Sequence, residues 1–233
     1  MNGPLLAAFD AVVAPSRWIL DQTGVPLRKA HVVPRMVKVP EEELMAETPV
    51  GSADRYYTAG VFGQLQPHKG HALVIEAALL AAKKHPITVL FVGAGGDPVT
   101  RRLVERAVVE HPDVFELRSV PRADVFGLMR KCRSVINASE HEAFGRTMIE
   151  AASSGAVPVA LGRGGPAEVV DALSFGLVIG RSVDALQAAL IQVARGEHQS
   201  VSVATRRAVL REKFGQRTVA KAYAAVFRQR RSG

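Results

Sequence analysis

The stretch EHEAFGRTMIE, Glu140 to Glu150, sets two acids, Glu142 and Glu150, eight positions apart around the pair Phe144-Gly145. Two carboxylates at this spacing suit a ligand that offers hydroxyl groups, because an ionised carboxylate is a strong hydrogen-bond acceptor. If a strand ends before Glu140 and a helix starts near Gly145, the free amides of the first helical turn favour a phosphate between the acids. At 1.5 Å per residue Glu150 then lies roughly 8 Å into the helix, within reach of a ribose diol, while Glu142 in the loop meets the other end of the ligand. A sugar attached to a nucleoside diphosphate has these parts. An equal reading from the spacing alone is structural: Glu142 as an acid favoured by the helix dipole and Glu150 as a surface acid. Glycosidases also use two carboxylates, about 5 to 9.5 Å apart across a glycosidic bond, but a phosphate-ready helix start argues against hydrolysis.

The elements that must hold these acids follow from the patterning. Tyr56 to Phe62, Ile87 to Gly93, Asp113 to Leu117, Ser134 to Asn137, Val157 to Leu161 and Gly176 to Gly180 read as strands. Between them KGHALVIEAALLAAKKH, DPVTRRLVERAVVEH, ADVFGLMRK and FGRTMIEAASS carry helical apolar spacing. Apolar strands alternating with helices indicate a parallel sheet covered on both faces. The expected fold is therefore α/β, a doubly wound Rossmann-like parallel sheet with ligands at the carboxyl ends of its strands. The segment from Pro40 to Arg55, acidic and flanked by prolines, reads as a linker after a forty-residue N-terminal piece.

Composition narrows the setting. With 233 residues and 48% hydrophobic content the chain can bury a core, which argues against disorder. One cysteine, Cys132, excludes a disulfide framework and suits a reducing compartment. No segment reaches about 18 uninterrupted apolar residues, and the broken N-terminus does not read as a signal peptide. Cytoplasmic location is expected, with a peripheral stay at the inner face of the membrane as an option. The net charge is +8, from 22 Arg and 8 Lys against 22 acids, and favours anionic partners. The pairs Arg101-Arg102 and Arg206-Arg207 and the run Arg228 to Arg231 read first as solvated helix faces and a tail. Aromatics at 6% and no zinc-finger spacing leave nucleic acid as a minor reading and anionic membrane contact as an open one. His68 and His71 have H-x-x-H spacing without a nearby third ligand, and no D-x-D pair occurs, so neither a metal nor another cofactor is expected.

EHEAFGRTMIEAASSGAVPVA, followed by GGPAEVV, resembles the E-x7-E region of the family-four retaining glycosyltransferases of GT-B fold. GQLQPHKGHALVIEAA resembles that family's G-R-x-x-x-x-K-G segment, and VLFVGAGG its second strand and glycine turn. The similarity runs from about Tyr57 to Gly180. It implies a transfer of sugar from a nucleoside diphosphate sugar without a metal. Lys69 matches the lysine that neutralises the donor diphosphate, aided by amides near Phe144 and Gly145; Glu150 matches the ribose acid and Glu142 the acid beside the transferred sugar. Glu142 and Lys69 are thereby the catalytic candidates. Gly63, Gln64, Arg118, Phe144, Gly145, Arg146, Thr147 and Glu150 join Lys69 as donor-binding candidates, and Gly165 and Glu168 sit in the matching GGxxE loop.

The match departs from the family at Gln64, where an arginine usually binds the diphosphate, and at Arg118, which replaces a glycine near the base. Arg118 then either blocks the base or supplies the missing cation. A GT-B enzyme also has two Rossmann-like domains, and this length accommodates one. The resemblance divides the chain into 1–40, a remnant of the acceptor-side domain and hinge strand; 41–55, a linker; 56–215, the nucleotide-sugar-binding domain, the C-terminal half of a GT-B fold; and 216–233, a crossing helix and basic tail. Trp18, Ile19, Leu20, Val32 and Val33 need a surface to cover them. The expected partners are a nucleotide sugar and an acceptor-domain protein or a second copy of the chain. An inactive nucleotide-binding or assembly module of the same ancestry is the alternative.

Overall fold

The computed structural model describes residues 6, 8–36, 55–199 and 201–228. A six-stranded sheet of β3 (Tyr57–Phe62), β4 (Val89–Val92), β5 (Phe115–Arg118), β6 (Cys132–Asn137), β7 (Val157–Leu161) and β8 (Leu177–Ile179) forms the centre. The strands lie in the order β5-β4-β3-β6-β7-β8, every neighbouring pair parallel. The chain builds outward from β3 to β5, returns to the centre at β6 and builds outward again to β8. The order reverses between β3 and β6, and a crevice opens there at the carboxyl edge. The expected Rossmann-like α/β fold is present.

Burial explains the near-continuous apolar strands: β4 and β7 are covered along their whole length. One face is packed by α2 (His71–Ala82), α3 (Pro98–Glu110) and α7 (Val183–Ala194), the other by α4 (Arg122–Arg130), α5 (Arg146–Ser154), α6 (Gly165–Leu173) and α8 (Val203–Phe214). Helix α2 is apolar around most of its circumference because it lies between the sheet and α7; Val74, Ile75, Ala77, Ala78 and Ala81 are all buried. Asp97, Ser182 and Ser202 accept from the third residues of α3, α7 and α8 and set where those helices start.

The N-terminal piece forms β1 (Val12–Ala14), α1 (Arg17–Thr23) and β2 (Ala30–Val32), a parallel pair bridged by a helix. Its apolar residues divide. Leu20 and Val33 are buried, Trp18 and Ile19 are half-buried, and Val32 stays exposed. Val33 packs with Val219 and Val226 of α9 (Gln216–Arg228), so the closing helix lies against the N-terminal piece.

Two sequence expectations need correction. Arg55, read as the end of the linker, is only 3% exposed and donates to the carbonyls of Cys132 and Ser154. Arg206, read as part of a solvated basic face, is only 5% exposed, because α8 turns it inward over the Phe175 ring. Arg101 does stand on a solvated face, paired with Glu105 one turn on. The linker before Arg55 and the basic tail beyond Arg228 lie outside the described residues.

Candidate functional site

The two acids lie on either side of one loop-to-helix step at the switch point. Strand β6 ends at Asn137, the loop carries Glu142, and α5 begins after Gly145. Gly145 occupies the N-cap at φ +86°, a left-handed conformation that L side chains rarely adopt, and a Cβ there would lie 2.6 Å from the Pro166 Cα. Since a glycine brings no side-chain cap, the start of α5 keeps backbone amides for a ligand. The Phe144 side chain is not part of the site: it packs edge-on against Phe214 in the core.

Lys69, which closes the 3-10 turn Pro67–Lys69 after β3, places its ammonium 2.7 Å from Glu142 Oε2. Burial pushes the Glu142 carboxyl up, but the hydrogen bond and charge of Lys69 and the N–H groups of Phe144 and Gly145 outweigh it and hold the group below the ordinary range. Thus Lys69 and the amides named from the sequence already converge on one anionic group. Asn137 donates to the Thr147 hydroxyl across the step, fixing the first turn of α5. Glu142, Lys69, Gln64, Asn137 and Thr147 line a small pocket of about 40 Å³.

A larger pocket of about 290 Å³ adjoins it through Phe62, Gly63, Gln64 and Thr147. Glu150 lines its far side with Arg122, Arg146, Val120 and Val125. Although its residue is only 6% exposed, the Glu150 carboxylate lies at the pocket. Its Oε1 pairs with Arg122 and, at 3.3 Å, with Arg146, while its buried Oε2 has no hydrogen-bond partner. A buried carboxylate oxygen left without a partner is an acceptor still short of a donor.

Most of the site residues named from the sequence are gathered here; Arg118 is not. It pairs with Glu116 two residues back on β5 and reaches the Tyr57 hydroxyl at 3.3 Å, and it does not line either pocket. Tyr57 in turn donates to Glu116, and burial followed by that carboxylate pushes the phenol up to about 12. Beside Arg146, the pocket cation on this side is Arg122, at the start of α4, which sequence reasoning missed. Its position just after β5, at the carboxyl edge, is the signal that could have found it.

The loop is also held from the N-terminal piece. Glu168 in the first turn of α6 accepts from the backbone N–H of Arg17 at 2.7 Å and of Trp18 at 2.6 Å, capping α1 from another element. Ser16 Oγ donates to the Ala143 carbonyl at 2.7 Å, and Trp18 stacks on His141 with centroids 6.2 Å apart. The residues on both sides of Glu142 are therefore anchored to α1. Gly165 fits beneath the same loop, where a Cβ would collide with the Ala143 carbonyl and the Phe144 amide.

His68 is exposed while His71 is buried, so the H-x-x-H pair does not face one ion. Among the described residues no three His, Cys, Asp or Glu side chains gather as a metal site. None of the described helices is long and apolar enough to cross a membrane.

A doubly wound parallel sheet with two acids and an uncapped helix start at its switch point is a Rossmann-like half of the GT-B kind. The chain belongs to the glycosyl transferases group 1 family, whose model matches residues 47–213. No curated protein sequence is significantly similar to it. Among solved structures it is similar to HepE of Anabaena, crystallised with UDP and glucose, at 21% identity and a TM-score of 0.75 over 97% of this chain and 65% of that one. It is also similar to a glycosyltransferase from Rickettsia africae, at 18% identity and 0.71 over 97% and 66% of the two chains. Sucrose-phosphate synthase of Thermosynechococcus elongatus matches at 20% identity and 0.69, over 99% of this chain and 61% of that one. The chain thus spans somewhat less than two thirds of the length of each of these structures.

Proposed function

We propose that the chain is the C-terminal, donor-binding half of a retaining family-four glycosyltransferase, taking a nucleoside diphosphate sugar. The observation that carries this reading is the placement of Glu142 and Glu150 in two adjoining pockets, one acid in each, with Lys69 beside the first. The ribose lies at Glu150, whose carboxylate accepts from a hydroxyl. The diphosphate meets Lys69 and the amides at the start of α5, and the sugar lies toward Glu142. The HepE structures with UDP and with UDP-glucose support a uridine nucleotide as the first donor to test.

In the reaction the bond between the anomeric carbon and the diphosphate oxygen breaks, and a bond to an acceptor hydroxyl oxygen forms on the same face of the sugar. The acceptor proton passes to the departing diphosphate, and the nucleoside diphosphate leaves. Lys69 and the α5 amides stabilise the charge that develops on that leaving group, so no metal is needed. Arg122, rather than Arg118, supplies the cation on the ribose side. The acceptor is held by a second domain, from another protein, another copy or a longer chain, and β1, α1 and β2 belong to that side of the hinge. The setting is cytoplasmic, and a lipid-linked acceptor would bring the basic surface to an anionic membrane.

A second reading, an inactive nucleotide-binding module, is favoured by Gln64, which lines both pockets where the family resemblance calls for an arginine. Calorimetry with UDP followed by hydrolysis or transfer assays with UDP-sugars separates the two. Binding with turnover supports the enzyme, binding without turnover in the presence of an acceptor domain supports the module, and no binding by the folded chain contradicts both.

A further inference from the structure

Toward the amino edge of the sheet, opposite the donor pockets, four cationic side chains lie near enough to act on one another's charge. Arg55 precedes β3, Arg133 is the second residue of β6, His198 follows α7 and Arg206 comes from α8. Arg55 donates to the carbonyls of Cys132 and Ser154, and Arg133 to that of Ala194 at 2.9 Å. Ser154 and Ala194 end α5 and α7, so these contacts are cations at helix C-termini, a favourable arrangement.

That arrangement does not account for the rest. Among the described residues the Arg206 guanidinium meets the Phe175 ring, 5.8 Å from its centroid, and its Nε is buried without a hydrogen-bond partner. Arg55 Nε and His198 Nδ1 are buried without partners as well. Among the described residues no acid forms an ion pair with any of the four. Instead they repel one another: Arg130 and Arg133 act on Arg55, Arg55 acts on Arg206, and Arg206, Arg133 and Arg55 act on His198. Burial first, then this repulsion, pushes both Arg55 and Arg206 down to about 10, although the Cys132 thiol opposes the shift at Arg55. A buried charge without a counter-charge is costly, and an anion relieves it.

We propose that Arg206, Arg55 and His198 form a second anion site at the amino edge of the sheet, which takes a tetrahedral oxyanion of the phosphate class. Arg206 carries the planar fork that suits such an oxyanion, and His198 beside it is half-exposed. The site is independent of the donor reading, since it lies at the other end of the strands.

The test is thermal unfolding of the full chain with inorganic phosphate titrated against chloride at constant ionic strength, for wild type, Arg206→Met, His198→Ala and Lys69→Met. Phosphate is expected to raise Tm in wild type and Lys69→Met. Arg206→Met is expected to unfold at a higher Tm than wild type without phosphate, because a repelled buried charge is gone, and to lose the phosphate response. Should Arg206→Met not fold, loss of the response in His198→Ala supports the site and its full retention there contradicts it. No phosphate response in wild type beyond that to chloride overturns the proposal. So does a response that Lys69→Met abolishes and Arg206→Met keeps, which would place the anion in the donor pocket.

Discussion

The Lys69 ammonium lies 2.7 Å from Glu142 Oε2, so a lysine after β3 and an acid after β6 form an ion pair across the switch point of the sheet. Because that pair and two amides hold the folded Glu142 carboxyl below its unfolded value, the stabilisation is fully present above about pH 4.3, the ordinary range for glutamate. It is lost as pH falls through the lower folded value. Thermal unfolding between pH 3 and 6 should therefore show wild type and Glu142→Gln converging toward the acid end. A constant gap across that range would remove Glu142 from the ion pair.

Arg122 and Arg118 should separate in binding. Arg122 lines the larger pocket and pairs with Glu150, whereas Arg118 is held by Glu116. Arg122→Ala should weaken UDP binding several-fold, and Arg118→Ala should leave it within about twofold, since a residue outside the site adds nothing to the contact. The opposite order would restore Arg118 as the base-side residue.

Glu168→Ala should loosen α1 selectively. The carboxylate accepts two backbone N–H groups at the helix start, and loss of an N-cap costs about 0.5–2 kcal/mol. Amide hydrogen exchange should rise across Trp18 to Thr23 while the strands β3, β4 and β6 keep their protection. Unchanged exchange in α1 would show that its anchoring comes from elsewhere.

Gly165→Ala should damage the site through its backbone. The added methyl collides with the Ala143 carbonyl and the Phe144 amide, and overpacking of this kind costs about 1–3 kcal/mol. The loop must shift, taking the Phe144 and Gly145 amides with it, so UDP affinity should fall even though the substituted residue meets no ligand. Unchanged affinity in the folded variant would detach those amides from phosphate binding.

Much of the fold was legible because periodicity and burial agree. All six strands of the main sheet were expected, and their ends differ by at most two residues. In β5 the shift reaches Arg118, because its pairing with β4 continues to Val92. The candidate site residues came from the motif order, which fixes chain position but not the direction of a side chain. Hence Phe144, named for its amide, sends its ring to the core, and Arg118, named as a donor-binding candidate, is paired instead with Glu116, two residues back on the same face of the strand. Arg122 belongs to no quoted motif and its partner Glu150 is 28 residues away in sequence, so only the folded chain brings them together. Arg55 and Arg206 misled for a related reason: a basic residue is usually solvated, and nothing local announces a buried one.

The central claim, that Glu150 holds the ribose of a nucleotide, is tested most directly by calorimetry of UDP with wild type and Glu150→Ala, without added metal. The account predicts binding to wild type and a loss of about 1.5–3 kcal/mol in the variant, the range for a hydrogen bond to a charged group, or roughly 10- to 150-fold in affinity. Equal affinity in a folded Glu150→Ala chain would contradict it.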